Sequence, residues 1–490
     1  MKKTPHKQKT FFGHPRGLSS LFLTEFCERF SYYGMRAILT YFLYFSVASG
    51  GLGLQETEAL TIMSCFGSLV YLTSVIGGWA ADRILGAYRA TLYGGIIIAA
   101  GHIILALPLG IGGMFVALGC IIIGTGFLKP NVSEMVGELY AEGDNRRDAG
   151  YSIYYMGINL GSFLSPIIVG SAHAAFGFHF AFFIPAVIMI AALFVFVFHT
   201  KKTIGVVSKK PLRPLQASEK KKLALAGVAL VSLVVVVVAV LALTGNLTVS
   251  TVEWMLPLVC LIIVVSIFTT ILRNKGIQPV ERKRVFAFIP LFVCAAVFFA
   301  IAEQQASTIA LIVESKIDSS IGNFTVPAAW YQSINPLVIL ACTPVLAFLW
   351  MKLKERQPTI ISKMGIGIFL AALGFFTLAA GNLITPQGSL LNPAWVIVCI
   401  VLFSVGELLV SPIGLSATSK LAPKFAKSQM MALWMLANSL GQGLNGFLVQ
   451  FYSEATAGMF FIAYASVAVV AGVLMFAGKR FLLALADGVH

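Results

Sequence analysis

Glu25, Glu28, Arg29, Tyr32 and Arg36 lie inside one apolar stretch, in the run Glu25-Phe26-Cys27-Glu28-Arg29-Phe30-Ser31-Tyr32-Tyr33-Gly34-Met35-Arg36. Wound as a helix at about 100° per residue, these side chains share an arc of about 100°, with Tyr33 just beside it. The other face is apolar and can meet lipid. Carboxylates, guanidinium groups and phenols on one stripe can exchange protons, pair with one another or hold a charged solute. Charge at membrane depth costs from about 2.5 to well over 10 kcal/mol and normally faces a polar pathway, so a transported solute is its natural reason.

Three more charges fall in apolar segments: Lys129, Glu303 and Glu407. Glu25, Glu28, Glu303 and Glu407 then face Arg29, Arg36 and Lys129, and one carboxylate is left without a cation. A buried carboxylate without a partner takes up a proton, and gives it back when its ion partner returns. That is a proton-coupling device. Glu134, near the end of its segment, is read as interfacial. A zwitterion needs both signs at a fixed spacing. Arg36 and Lys129 come from the N-terminal half and Glu407 from the C-terminal half, so a solute carboxylate and ammonium could each find an opposite charge. The plainer alternative is that these pairs staple helices. Asn159 and Asn335 either bridge helices, at about 0.6 kcal/mol each, or touch solute. Pro130, Pro166, Pro336, Pro344 and Pro412 could kink helices that bend at gates. His102, a lone imidazole within a span, reads as packing before proton relay.

The elements that must position these groups are transmembrane helices. The chain of 490 residues is 58% hydrophobic and 11% charged, with a mean hydropathy of +0.88, which leaves no stretch for a soluble domain. Fourteen spans are expected, starting near residues 18, 57, 90, 113, 150, 178, 222, 254, 285, 327, 360, 394, 428 and 457. Nearly all Lys and Arg fall in alternate connections, with Lys316 alone opposite, so the positive-inside rule makes both termini cytoplasmic. The formal charge of +15 is then topology and attraction to anionic lipid, with no need for a nucleic-acid partner. The first span carries no cleavage pattern and is kept as a span. The seven cysteines all lie in apolar segments and read as packing thiols. Six spans end near His199; a basic linker and two apolar segments, about 223–243 and 255–272, follow; then come six more spans. The inserted pair shows no charge, which suggests that it sits outside the working bundle. The expected organisation is an N-terminal six-helix bundle over 1–199, a linker with a two-helix insertion over 200–284, and a C-terminal six-helix bundle over 285–490.

Six plus six with a cytoplasmic linker is the architecture of the major facilitator superfamily, whose halves rock about a midplane site. The run Gly78-Trp79-Ala80-Ala81-Asp82-Arg83-Ile84-Leu85-Gly86-Ala87-Tyr88-Arg89 resembles that superfamily's GxxxDRxxGxxR cytoplasmic loop, in which glycines allow a tight turn. The ExxERFxYYG run at Glu25 to Gly34, Tyr151 to Gly161 in the fifth span, and Gly406-Glu407-Leu408-Leu409-Val410-Ser411-Pro412 narrow the resemblance. Together they resemble the proton-dependent oligopeptide transporter family, along essentially the whole chain. The resemblance implies an all-α integral membrane protein of the bacterial plasma membrane that acts as a monomer and imports di- and tripeptides with protons by alternating access. It places Glu407, Asn159 and Asn335 toward the peptide amino end, Arg36 and Lys129 toward its carboxylate, and Tyr32, Tyr33, Tyr71 and Trp434 around the pocket. It also implies that Glu303 pairs with Arg36 at an extracellular gate and Glu25 with Lys129 below the site, with Glu28 and Arg29 in the coupling set.

Departures narrow the mechanism. Animal members carry a His in the second span, which has none here, so proton work falls to carboxylates. At Phe299-Ala300-Ile301-Ala302-Glu303 relatives often have Trp near the first position and sometimes a second Glu, which opens pocket shape and stoichiometry. A drug/proton antiporter would bind hydrophobic cations, which Arg36 and Lys129 would repel. Carriers of nitrate or other small anions are the nearest competitor and often lack the complete ExxER run. An enzyme would need paired acids or His at a membrane face for metal or base chemistry, and that reading is set aside; no metal or cofactor is expected.

Overall fold

The computed structural model describes residues 11–141, 144, 146–200, 210–211, 214–246, 248–386 and 388–486. With no water in the hydrocarbon layer, a spanning backbone must satisfy its own hydrogen bonds, and helices do so within one segment. The helices are α1 (Gly17–Tyr44), α2 (Glu56–Ala80), α3 (Ala87–Ala106), α4 (Gly110–Glu138), α5 (Arg147–Phe176), α6 (Phe178–Phe194), α7 (Ala217–Leu243) and α8 (Val249–Arg273). They continue with α9 (Pro279–Ala302), α10 (Thr308–Lys316), α11 (Ile334–Leu353), α12 (Ile360–Ile384), α13 (Ala394–Leu421), α14 (Lys427–Leu448), α15 (Ala457–Ala477) and α16 (Lys479–Ala486). A long helix stands near each expected span. Eleven are long and apolar enough to cross a membrane, and the chain is a multi-pass membrane protein. Of the long helices outside that set, α1 carries the charged stripe, and α14 a run of Asn, Ser and Gln.

The chain forms two compact units, Met1–Met35 with Thr73–Ser232, and Arg36–Leu72 with Leu233–His490. In the first, α3 packs on α4 and α6, and Leu18, Leu21, Ile98, Leu128, Met189 and Phe196 share one apolar core. α5 comes hard against α1 at Gly161, where a Cβ would lie 2.6 Å from the Phe26 carbonyl oxygen. Small residues of this kind let membrane helices touch backbone to backbone. In the second unit α12 packs on α13 and α15, and α9 on α14 and α13. A two-stranded hairpin, Ser320–Ile321 with Phe324–Thr325, caps the connection from α10 to α11.

Three sequence expectations change here. The stretch 78–89 is no open loop: α2 runs on as a π turn over Ala81–Leu85, and only Gly86, at φ 79°, makes the corner. Arg83 in that turn pairs with Glu219 of α7 at 2.8 Å. The inserted segments are longer than their apolar stretches, because helical hydrogen bonding continues past the last apolar residue. α8 therefore includes Glu253, and that carboxylate is buried. Nor is α8 detached, since it packs on α14. The N-terminal basic residues Lys2, Lys3, Lys7 and Lys9, linker residues Lys201, Lys202, Lys209 and Arg213, and the last four residues lie outside the described residues.

Candidate functional site

In the first unit the charged stripe of α1 folds into a single knot. Glu25, Glu28 and Arg29 are all essentially buried. Arg29 Nε lies 3.2 Å from Glu25 Oε1, the i, i+4 partner, and also donates to Glu28 Oε2. One guanidinium therefore serves two carboxylates. Glu28 Oε1 and Arg29 Nη2 are buried with no hydrogen-bond partner among the described residues. Tyr154 of α5 and Lys129 of α4 lie within electrostatic reach of Glu25. Arg29 is the close partner of Glu25. Arg29 stands over the Tyr32 ring at 5.4 Å, a cation–π contact, and Tyr32 meets Tyr33 edge to face at 5.3 Å. Asn159 is buried, yet its amide nitrogen donates to the Tyr155 carbonyl of its own helix at 3.0 Å. Its nitrogen is thus spent within α5, which leaves its carbonyl oxygen for another donor.

In the second unit Arg36 and Glu303 form an ion pair of 2.5 Å. The helix geometry explains why Glu303 reaches it. α9 stops at Ala302, residues Glu303–Ala306 make a 3-10 turn, Ser307 leaves the helical region at φ −123° and ψ −101°, and α10 restarts at Thr308. The carboxylate sits at this joint. Asn438 Nδ2 donates to Glu303 Oε1 at 3.1 Å, and Gln442 Nε2 donates in turn to Asn438 Oδ1 at 2.6 Å. Thr40 donates to the Ala306 carbonyl at 2.5 Å, and Gln332 to that of Ala37 at 3.2 Å. Met63, Ser64, Ser307, Gln442 and Asn445 line a narrow cavity with the pair.

Of Glu25, Glu28, Glu303 and Glu407, it is Glu407 that forms no ion pair among the described residues. Its Oε2 accepts from Asn335 Nδ2 at 3.0 Å, and the same nitrogen lies 2.9 Å from Ser404 Oγ. An amide offers two protons and no charge, so Glu407 keeps a demand for a cation. Glu303 is within electrostatic reach of it. Trp434 is buried, meets Phe299 at 6.1 Å, and lies against Gly414, where any Cβ would collide with the indole. Tyr71 stands half-buried on α2. Phe299 thus sits beside the indole.

The site residues split into two sets, Glu25, Glu28, Arg29, Tyr32, Tyr33, Lys129 and Asn159 in one unit and Arg36, Tyr71, Glu303, Asn335, Glu407 and Trp434 in the other. Sequence reasoning missed Tyr154, Ser404, Asn438, Gln442 and Asn445. The last three carried a signal, because polar residues at 438, 442 and 445 follow the i, i+4, i+7 pattern of one helix face.

A family model described as PTR2, POT family, matches residues 88–466. An uncharacterized transporter of Bacillus subtilis is 41% identical over 467 residues, covering 95% of this chain and 94% of its own length. A di-/tripeptide transporter of Lactococcus lactis subsp. cremoris is 39% identical over 491 residues, covering 99% of each. The crystal structure of a peptide transporter POT in complex with sulfate superposes with a TM-score of 0.95 at 44% identity, over 98% of each chain. The fold is therefore that of the major facilitator superfamily, the protein is a transporter rather than an enzyme, and the chain belongs to the POT family.

Proposed function

We propose that the protein is a proton-coupled symporter that imports di- and tripeptides across a bacterial plasma membrane, with both termini cytoplasmic and the monomer as the working unit. The observation that carries this reading is the contrast between Glu303, paired with Arg36, and Glu407, held by the neutral Asn335. A peptide is a zwitterion and needs one fixed charge of each sign. Glu407 with Asn335 takes the ammonium, Arg36 and Lys129 take the carboxylate, and Asn159, Tyr32, Tyr33, Tyr71 and Trp434 shape the pocket.

Coupling follows from charge balance. Arg36 cannot lose its proton, so it can face a peptide carboxylate only if Glu303 gives it up. An abandoned carboxylate at that depth takes a proton. Peptide binding and proton binding at Glu303 therefore favour each other, and Glu25, Glu28 and Arg29 supply a second place for a proton. The bundles 1–199 and 285–490 rock around these groups. One proton with a net-neutral peptide moves positive charge inward, which gains about 2.3 kcal/mol per 100 mV.

Uptake of radiolabelled dialanine into proteoliposomes under an imposed pH gradient tests the reading. Accumulation should collapse when both pH and voltage gradients are removed, while counterflow survives. Concentrative uptake that persisted without either gradient would overturn symport. Transport of nitrate without dialanine would move the substrate to the small anions.

A further inference from the structure

Glu253 is a charged side chain in the insert, and nothing above gives it a task. It lies one turn into α8, is 7% exposed, and accepts a hydrogen bond from Thr61 Oγ1 of α2 at 2.5 Å. The same hydroxyl stands 3.4 Å from the Gly446 carbonyl oxygen. Gly446 is in the last turn of α14, where carbonyls run out of partners along the helix. A hydroxyl has one proton to give, so it serves one of these acceptors at a time.

The surroundings fit a carboxylate that does more than fasten α8. Fastening is already provided for. Ser68 of α2 and Ser439 of α14 exchange hydrogen bonds at 2.7 and 2.8 Å, Cys260 of α8 reaches Ser439 at 3.4 Å, and Trp254 packs on Phe447 with ring centroids 4.0 Å apart. A carboxylate added to that seam at membrane depth is costly, and an amide or hydroxyl would accept from Thr61 as well. What a carboxylate adds is a second protonation state. Asn445, the neighbour of Gly446, lines the cavity with Arg36, Ser64 and Glu303. Whatever sets the hold of α14 on α2 is therefore felt at the ion pair.

We propose that Glu253 is a further proton-binding carboxylate, outside both charge clusters, which decides whether Thr61 ties α2 to α8 or to α14. When Glu253 is ionised, Thr61 donates to it. A proton taken from water at the membrane face sits on the carboxyl oxygen and is donated to Thr61 Oγ1; Thr61 then turns its own proton to the Gly446 carbonyl. No other bond changes, and the local charge rises by one. The titratable groups on the elements packed against it are Cys65 on α2, within electrostatic reach of Glu253 and of Cys260 on α8, with Glu56 and Glu58 in the first turn of α2. The charge that α14 carries, Lys427, is at its far end. Only the transport consequence rests on the proposed function: low pH outside, by tying α2 to α14 beside Arg36 and Glu303, would set how readily that pair opens.

Two measurements test it on the full chain in lipid. Infrared difference spectra against pH should show a protonated-carboxyl band that Glu253→Gln loses and Glu303→Gln keeps. This arm involves no substrate, so it decides the proton site even if dialanine is not transported. In dialanine counterflow, Glu253→Gln and Thr61→Val should each lose the same step of the pH profile. The double variant should lose no more than either alone, and Thr61→Ser should restore the step. If Glu253→Gln fails to fold, the Thr61→Val and Thr61→Ser comparison carries the test. An unchanged carboxyl band in Glu253→Gln, or a wild-type pH profile in Thr61→Val, would overturn the proposal.

Discussion

The two charge clusters are built in opposite ways. In the first unit Glu25, Glu28 and Arg29 come from one turn of one helix, and the guanidinium is shared between two carboxylates. In the second unit Arg36 meets a carboxylate far along the chain, at Glu303, and Glu407 stands apart with only an amide. The first cluster holds its members together by helix geometry, whatever the rest of the protein does. The second exists only while separate helices stay in place. A cluster of the first kind can store a proton without being taken apart; one of the second kind can report a change of conformation.

The heaviest blow to this contrast is Arg29→Met, which strands two buried carboxylates. Removing one partner of a buried ion pair costs about 3–5 kcal/mol, so thermal unfolding in detergent should shift far down, and acid pH should recover part of the loss by neutralising the carboxylates. An unshifted transition would mean that the knot is wetter than its burial indicates. Glu303→Gln should instead leave the fold intact and abolish proton-driven accumulation, because an amide cannot alternate between pairing Arg36 and carrying a proton, while peptide exchange persists. Uphill transport in that variant would hand the coupling proton to Glu25 or Glu28.

Substrate recognition gives a smaller effect. Glu407→Gln should weaken dipeptide binding by about 1.5–3 kcal/mol, the range for a charged hydrogen bond, and should weaken N-acetylated analogues far less. Equal losses would make Glu407 a gating or folding residue. Arg36→Lys keeps the charge but loses the planar fork, and should weaken the peptide carboxylate's binding as measured by competition with C-amidated analogues.

The smallest effect belongs outside the membrane. Asp144 is held down to about 2 by hydrogen bonds from Arg146. Its contribution, like that of any carboxylate depressed on folding, is present above the unfolded value and fades only as pH falls through the folded one. Asp144→Asn should therefore leave uptake unchanged across the pH range in which the intramembrane carboxylates work. A shifted uptake profile would mean that surface charge, rather than either cluster, sets the pH response.

Much of this was readable from the chain. The α1 stripe was plain because charge is rare among apolar residues and a helix gathers positions 25, 28, 29, 32 and 36 onto one side. The Arg36 to Glu303 pair was reached only by resemblance, since no local rule joins residues so far apart. The joint at Glu303 left no mark, because Gln304, Gln305 and Ala306 are all ordinary helix residues. Glu253 was hidden by two positions: the apolar stretch begins at 255 while the helix begins at Val249, and its Thr61 partner is a common residue at an unremarkable place. Asn159 read as a bridge or a binding group, and only coordinates show its nitrogen spent on its own helix.

The interruption after Ala302 also has a mechanical meaning. A continuous helix from Pro279 to Lys316 would behave as a stiff rod, and any tilt at one end would appear at the other. Divided at Glu303–Ser307, it becomes an articulated lever with a short outer arm. Glu303 is mounted at the fulcrum, where displacement is least and the change of angle greatest. The carboxylate is thus carried by the joint itself and not by either arm.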